Sequence, residues 1–137
     1  MEEVMGIEMR GLCPLVQVFD MPTSLRFYRD LLGFEVVQRS KDSDDCGWCW
    51  LRSKGGAELM LNTAYDEDGR PPQPDRDRMI GHMDTGLFIG CPNVDAAYEY
   101  LQSKGVKCEK PKVAPYGMKQ LYLNDPDGFG ICFQWKA

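Results

Sequence analysis

The sequence predicts an α+β fold made of two copies of one unit, each a strand, a helix and then a run of strands. The two halves superpose at an offset of 72 positions without a gap, which sets Leu15 on Leu87, Tyr28 on Tyr100, Gly33 on Gly105, Leu51 on Leu123 and Gly56 on Gly128. The identities stand barely above chance, so the weight rests on the matching order of element types. A length of 137 residues suits one compact domain, or two small modules sharing one sheet, and either half alone would be marginal. A duplicated unit with a curved sheet places its site between the copies.

Residues 12–19, Leu-Cys-Pro-Leu-Val-Gln-Val-Phe, are β-prone and stop at Asp20, where Pro22, Thr23 and Ser24 supply helix-start chemistry. Leu25, Tyr28 and Leu32, widened by Phe27 and Leu31, form the apolar stripe of a helix over about 23–32, and Gly33 stands where a left-handed cap belongs. Strands follow at Phe34–Gln38, Trp48–Leu51 and Glu58–Asn62, divided by the polar turn 41–45 and by Gly55-Gly56. This completes a first module at about 12–62.

Residues 64–83, with Asp66, Glu67, Asp68, Gly69, Pro71, Pro72, Pro74, Asp75 and Asp77, leave nothing to bury and read as a polar linker, either disordered or a flap over a site. The second module, about 85–135, opens at Gly86-Leu87-Phe88-Ile89. Asn93 caps a helix carrying Val94, Ala97, Tyr98 and Leu101 up to Gly105. A Pro-bounded loop, the strand 119–123, the tight turn Asp125-Pro126-Asp127-Gly128 and the strand 131–135 finish it.

Sixteen basic against twenty-one acidic side chains give a net charge of −5, with no cationic stripe to release counterions from nucleic acid. No apolar run is long enough to span lipid. The acidic N-terminus lacks the basic and apolar regions of an export signal, so the six cysteines are expected as reduced thiols in the cytoplasm. There is no phosphate-cradling loop, no Gly-x-Ser-x-Gly elbow and no histidine besides His82.

Asp20 with Ser24-Leu25-Arg26-Phe27-Tyr28 and Leu31-Leu32-Gly33-Phe34, then Gly56-Ala57-Glu58-Leu59-Met60-Leu61, then Asn124-Asp125-Pro126-Asp127-Gly128-Phe129 resemble the vicinal oxygen chelate superfamily. That superfamily includes glyoxalase I, bleomycin resistance proteins and extradiol dioxygenases, and the resemblance runs from about Leu12 to Trp135. It implies paired βαβββ modules whose curved mixed sheets enclose an open cleft, a compact organic ligand and a homodimer. It does not name a reaction.

Metal-dependent members hold a divalent ion with His, Gln or Glu at four strand positions. The resemblance carries these to Cys13, Met60, Thr85 (or Gly86, if the second unit slips by one) and Cys132. Thiol, thioether and hydroxyl groups replace oxygen and imidazole donors poorly, so no cofactor is expected. A soft Cu⁺ or Zn²⁺ site at Cys13, Met60 and Cys132 is a minor alternative.

Glu58 shares a face with Met60 and is the one candidate base, against a plain reading as a solvated strand residue. His82 reads as an exposed loop histidine. Cys46 and Cys49 have Cys-x-x-Cys spacing, but Cys49 leads into a strand, which offers no helix dipole to stabilise a thiolate. Trp48 and Trp50 share one strand face, either lining the cleft or packed beneath the helices, the latter slightly favoured. The expected cleft is thus Cys13, Gln17, Glu58, Met60, Thr85, Cys132, Trp48 and Trp50, binding a small molecule without metal; if the tryptophans face inward, a flat cationic or aromatic ligand could stack on them with Glu58 nearby. The alternative is a metal-dependent lyase or isomerase with Glu58 as base and ligands drawn from Cys13, His82 and Cys132.

Overall fold

The computed structural model describes residues 6–65 and 69–137. The readings of the extreme N-terminus and of Asp66, Glu67 and Asp68 lie outside these residues. Strand β1 (Leu15–Gln17) leads into helix α1 (Met21–Leu25), which continues as a π-helical segment (Arg26–Leu31). Strands β2 (Glu35–Arg39), β3 (Trp48–Arg52) and β4 (Glu58–Asn62) complete the first module. After α2 (Arg76–His82), the second module runs β5 (Gly86–Gly90), α3 (Val94–Ser103), β6 (Lys112–Val113), β7 (Met118–Asn124) and β8 (Gly130–Lys136).

The duplication is carried by topology. Each module forms its own four-stranded sheet, in the orders β1-β4-β3-β2 and β5-β8-β7-β6, with the two first-named strands parallel and the other pairs antiparallel. The two sheets are separate, so the option of one shared sheet is not taken. Trp50 pairs with Met60 and Tyr122 with Cys132, an offset of 72. Leu15 pairs with Met60 but Phe88 with Cys132, so β1 maps onto β5 at 73.

Asp20 caps α1 by accepting from the Thr23 amide at 3.2 Å. The wider π-helical turn appears in the bond from Leu32 N to Phe27 O at 3.0 Å, and the bond from Phe34 N back to Tyr28 O, also 3.0 Å, closes the cap at Gly33. Apolar spacing alone did not distinguish this turn from an α-helical one, because Phe27, Leu31 and Leu32 broaden the stripe. Leu25 and Tyr28 are fully buried against Val16, Cys49, Leu51, Leu59 and Leu61, while Leu121, Leu123 and Ile131 with Leu87 and Ile89 repeat the arrangement around α3.

The Asp125–Phe129 turn joins the modules. Tyr28 donates its hydroxyl to Asp125 Oδ2 at 2.6 Å, and the amides of Asp127 and Phe129 donate to Oδ1 at 2.9 and 2.8 Å. Asp127 accepts from Phe19 N at 2.7 Å and from Ser24 Oγ at 3.3 Å. Buried carboxylates persist only when their oxygens find donors, and this turn finds them in its own amides and in the other module, on its first helix and on the segment between β1 and that helix. Tyr100 adds a hydroxyl bond to the Leu31 carbonyl at 2.6 Å.

The linker departs from expectation. It contains a helix, α2, capped by Asp75, whose side chain accepts from Asp77 N. Seven residues are too few for a helix to persist alone, so tertiary contacts hold it. His82 stacks on Phe129 with ring centroids 4.0 Å apart, its Nδ1 lies 2.8 Å from the Asp127 carbonyl oxygen, and Met79 is half-buried. Upstream, Arg70 pairs with Asp20 and its guanidinium lies 5.6 Å from the Phe19 ring centroid. Among the described residues no helix is long and apolar enough to cross a membrane.

Candidate ligand-binding cleft

Each sheet turns one face to the helices, and the candidate residues lie on the other. On β3, Cys49 and Leu51 enter the core, which places Trp48 and Trp50 on the opposite face with Met60, Asn62, Gln17 and Leu15. Packing of the tryptophans beneath the helices is therefore corrected. Two-residue alternation fixed them as a pair, but both strand faces are apolar enough for a core, so composition did not choose between them. Asn62 Nδ2 donates to Gln17 Oε1 at 3.3 Å beside Trp48, and Trp50 Nε1 is buried with no hydrogen-bond partner among the described residues.

Glu58 lies on this face but is not a free carboxylate. Arg52, directly across on β3, donates Nε to Glu58 Oε1 at 2.9 Å, and its guanidinium lies 4.9 Å from the centre of the Trp50 ring. A groove of about 790 Å³ between the modules brings Glu58 together with Pro14, Gly86, Phe88 and Trp135.

The second module's face contains residues the sequence reading did not select. Gln120 is buried by a polar network: its Nε2 donates to Tyr116 Oη at 2.6 Å and to Gln134 Oε1 at 2.9 Å, while Tyr122 donates to Gln120 Oε1 at 3.1 Å. Phe88 meets Tyr122 edge to face at 6.2 Å. A recess of about 320 Å³ opens where Val113 and Pro115 meet Gln120 and Tyr122. Phe88 escaped the reading because its true offset is 73, one more than the repeat suggested. Gln120 and Tyr122 were legible as partners of Trp48 and Trp50.

The same slip corrects Thr85: Gly86 takes the third chelating position, and Thr85 serves through its backbone, its carbonyl accepting from Gly130 N and its N–H donating to the His82 carbonyl. Burial and then the nearby charge of Glu58 push the Cys13 thiol up, and burial does the same for Cys132, which lies outside the helix-packed core across from Tyr122. Both thiols are thus disfavoured as thiolates in the ion-free chain. Together with a thioether at Met60 and no side chain at Gly86, this donor set does not fit a hard or borderline divalent ion. Among the described residues no three His, Cys, Asp or Glu side chains stand together as an ion site. His82 is committed to the Asp127 carbonyl and the Phe129 ring, so the reading of it as exposed is corrected: α2 carries it against the second module.

Cys46 and Cys49 are fully buried, and burial pushes the Cys49 thiol up to about 12. Incubated with a maleimide at neutral pH, the native protein is expected to label at the part-exposed Cys13, Cys91 and Cys108 and to spare Cys46, Cys49 and Cys132. Peptide mass spectrometry reads this; labelling of Cys49 as fast as Cys13 would refute the inert assignment.

The fold and these faces define an α+β protein of two βαβββ modules, each presenting one open sheet face beyond a helix-packed core. The chain belongs to the Glyoxalase/Bleomycin resistance protein/Dioxygenase superfamily, whose family model matches residues 12–133. It is 35% identical over 122 residues to the uncharacterized protein YaeR of Escherichia coli K12, covering 82% of this chain and 84% of that one. Among solved structures it is similar to TnmS3, an antibiotic binding protein from Streptomyces sp. CB03234, at 24% identity and a TM-score of 0.69, covering 96% of this chain and 100% of that one. A glyoxalase/bleomycin resistance protein from the same organism gives 26% identity and a TM-score of 0.63 over 90% of this chain and 97% of that one.

Proposed function

We propose that this protein binds a small, flat organic molecule without a metal and acts by sequestration, as a cytoplasmic homodimer. The observation that carries the reading is the face shared by Trp48, Trp50 and Met60, in a chain whose four chelating positions hold thiols, a thioether and no side chain. Aromatic side chains on such a face suit contact with a planar ligand. The description of TnmS3 as an antibiotic binding protein is consistent with such a role. Leu15, Phe88, Tyr122 and Trp135 are 45%, 54%, 54% and 43% exposed in the single chain, apolar area that a second copy would cover. Nothing favours a lyase or isomerase using Glu58 as base, because Arg52 already holds that carboxylate.

A thermal-shift screen of planar aromatic compounds, with and without EDTA, tests the reading. Stabilising compounds are expected to keep their effect in EDTA, and Trp50→Ala is expected to weaken them about tenfold, roughly 1.4 kcal/mol. A divalent ion bound at one equivalent in protein purified without added metal, or hits abolished by EDTA, would overturn it. Light scattering at twice the chain mass is expected for the dimer.

A further inference from the structure

We infer that the open edge of β5 is completed by residues 7–13 of a second copy, added as a further strand with its Ile7 and Met9 in the groove between the modules. This rests on the homodimer of the reading above and names the segment that builds it. The two sheets end in the edge strands β1, β2, β5 and β6. An exposed edge invites another strand unless it is short, bulged or charged. β1 has three residues, β6 has two and begins with Lys112, and β2 carries a bulge between Val36 and Gln38 with Glu35 and Arg39 at its ends. β5, Gly86-Leu87-Phe88-Ile89-Gly90, has none of these devices.

In a parallel pair, alternate residues of a strand bond to the neighbour. Thr85 O accepts from Gly130 N and Cys91 N donates to Gln134 O, so the odd-numbered residues serve β8. Gly86, Phe88 and Gly90 therefore direct their N–H and C=O groups to the open side. The two glycines carry no side chain to hold another backbone off. All of β5 lines the groove of about 790 Å³, with Leu12, Phe34, Leu59 and Trp135.

The N-terminal arm fits this edge in pattern, length and charge. Glu8 and Arg10 join at 3.1 Å, which sets both on one face of an extended chain and Ile7 and Met9 on the other. Ile7, Met9 and Leu12 are 77%, 79% and 87% exposed, so the arm buries none of them in its own chain. Residues 6–12 reach about 23 Å when extended, against about 17 Å for the five residues of β5. Among the described residues Glu58 is the one charge lining the groove, and Arg52 neutralises it, while the arm neutralises itself through Glu8 and Arg10. Exchange about a twofold axis is reciprocal, so two arms cover two edges.

Light scattering of the full chain through a dilution series tests this. Ile7→Asp with Met9→Asp is expected to weaken the dimer at least about a hundredfold, since two apolar side chains are lost from each docked arm. Glu8→Ala with Arg10→Ala removes only a surface ion pair and is expected to leave the dimer within about threefold. Both double variants are expected to keep the wild-type circular dichroism, because the arm lies outside the core. Met9→Cys chains mixed with mass-tagged Phe88→Cys chains are expected to form a disulfide between copies under oxidised glutathione, above the wild-type background. A dimer indifferent to the Ile7 and Met9 changes, or equally sensitive to those at Glu8 and Arg10, would overturn the arm's role while leaving the dimer standing. So would a chain carrying both Met9→Cys and Phe88→Cys that closes only on itself. A wild-type chain that is monomeric at tens of micromolar would remove the dimer and this inference together.

Discussion

Replacing Tyr28 by phenylalanine lowers the stability of the protein by about 2 to 3 kcal/mol at neutral pH, the cost of leaving a buried charged acceptor without its donor. The ring is fully buried and would keep its edge contacts to Phe27 and Phe34 at 4.9 and 6.1 Å, so packing is preserved and only the hydroxyl is lost. That hydroxyl donates to Asp125 Oδ2 at 2.6 Å across the module joint. Burial raises the Asp125 and Asp127 carboxyls above their ordinary 3.8, and the Tyr28 bond holds Asp125 back down.

The sign of the pH dependence follows. A carboxyl raised in the folded state contributes stability that is present below its unfolded value and lost as pH rises through its folded value. Removing the Tyr28 hydroxyl raises Asp125 further, so the deficit of the variant is larger at neutral pH and shrinks as pH falls through the raised folded value of Asp125, below which the carboxyl is protonated in both proteins. Urea unfolding at pH 7 and near pH 4 measures both values. A deficit equal at the two pH values would mean that Asp125 is not the partner that matters.

Gly128→Ala is expected to destabilise by about 2 to 4 kcal/mol, from positive-φ strain and a backbone collision together. Gly128 has φ +91°, and a Cβ there would lie 2.6 Å from the Met79 carbonyl oxygen. That oxygen belongs to α2 and has no rotamer with which to retreat, so the helix itself must lift from the Asp125–Phe129 turn, taking His82 off Phe129. Gly33→Ala is the control: its φ is +95°, yet nothing lies within 4 Å of the added carbon, so it bears the strain alone. Thermal unfolding should rank Gly128→Ala well below Gly33→Ala, and trypsin should cut faster at Arg76 and Arg78 only in the former. Equal melting temperatures for the two variants would show that α2 is not seated on the turn.

The sequence by itself determined the modules and their internal parity. The stripe Leu25, Tyr28, the cap at Gly33 and the alternation Trp48-Cys49-Trp50-Leu51 all depend on the covalent geometry of a helix or strand, which repeats every few residues and is visible in any window of the chain. The same parity kept Cys13, Gln17, Glu58 and Met60 together, because β1 and β4 are neighbours whose register follows their alternation.

Tertiary structure alone decided which face of β3 is core, since Cys49 with Leu51 and Trp48 with Trp50 are both apolar pairs and the helix settles on one of them. It also shifted β5 by one residue, exchanging Thr85 for Gly86 and bringing Phe88 forward. It organised α2 within a polar linker, where contacts with Phe129 and Asp127 supply what seven residues lack. And it set the Arg52 guanidinium over Trp50 and against Glu58, so that a residue read as a possible base is one half of an ion pair. These outcomes depend on which surfaces meet once the chain is compact, and no local period encodes that meeting.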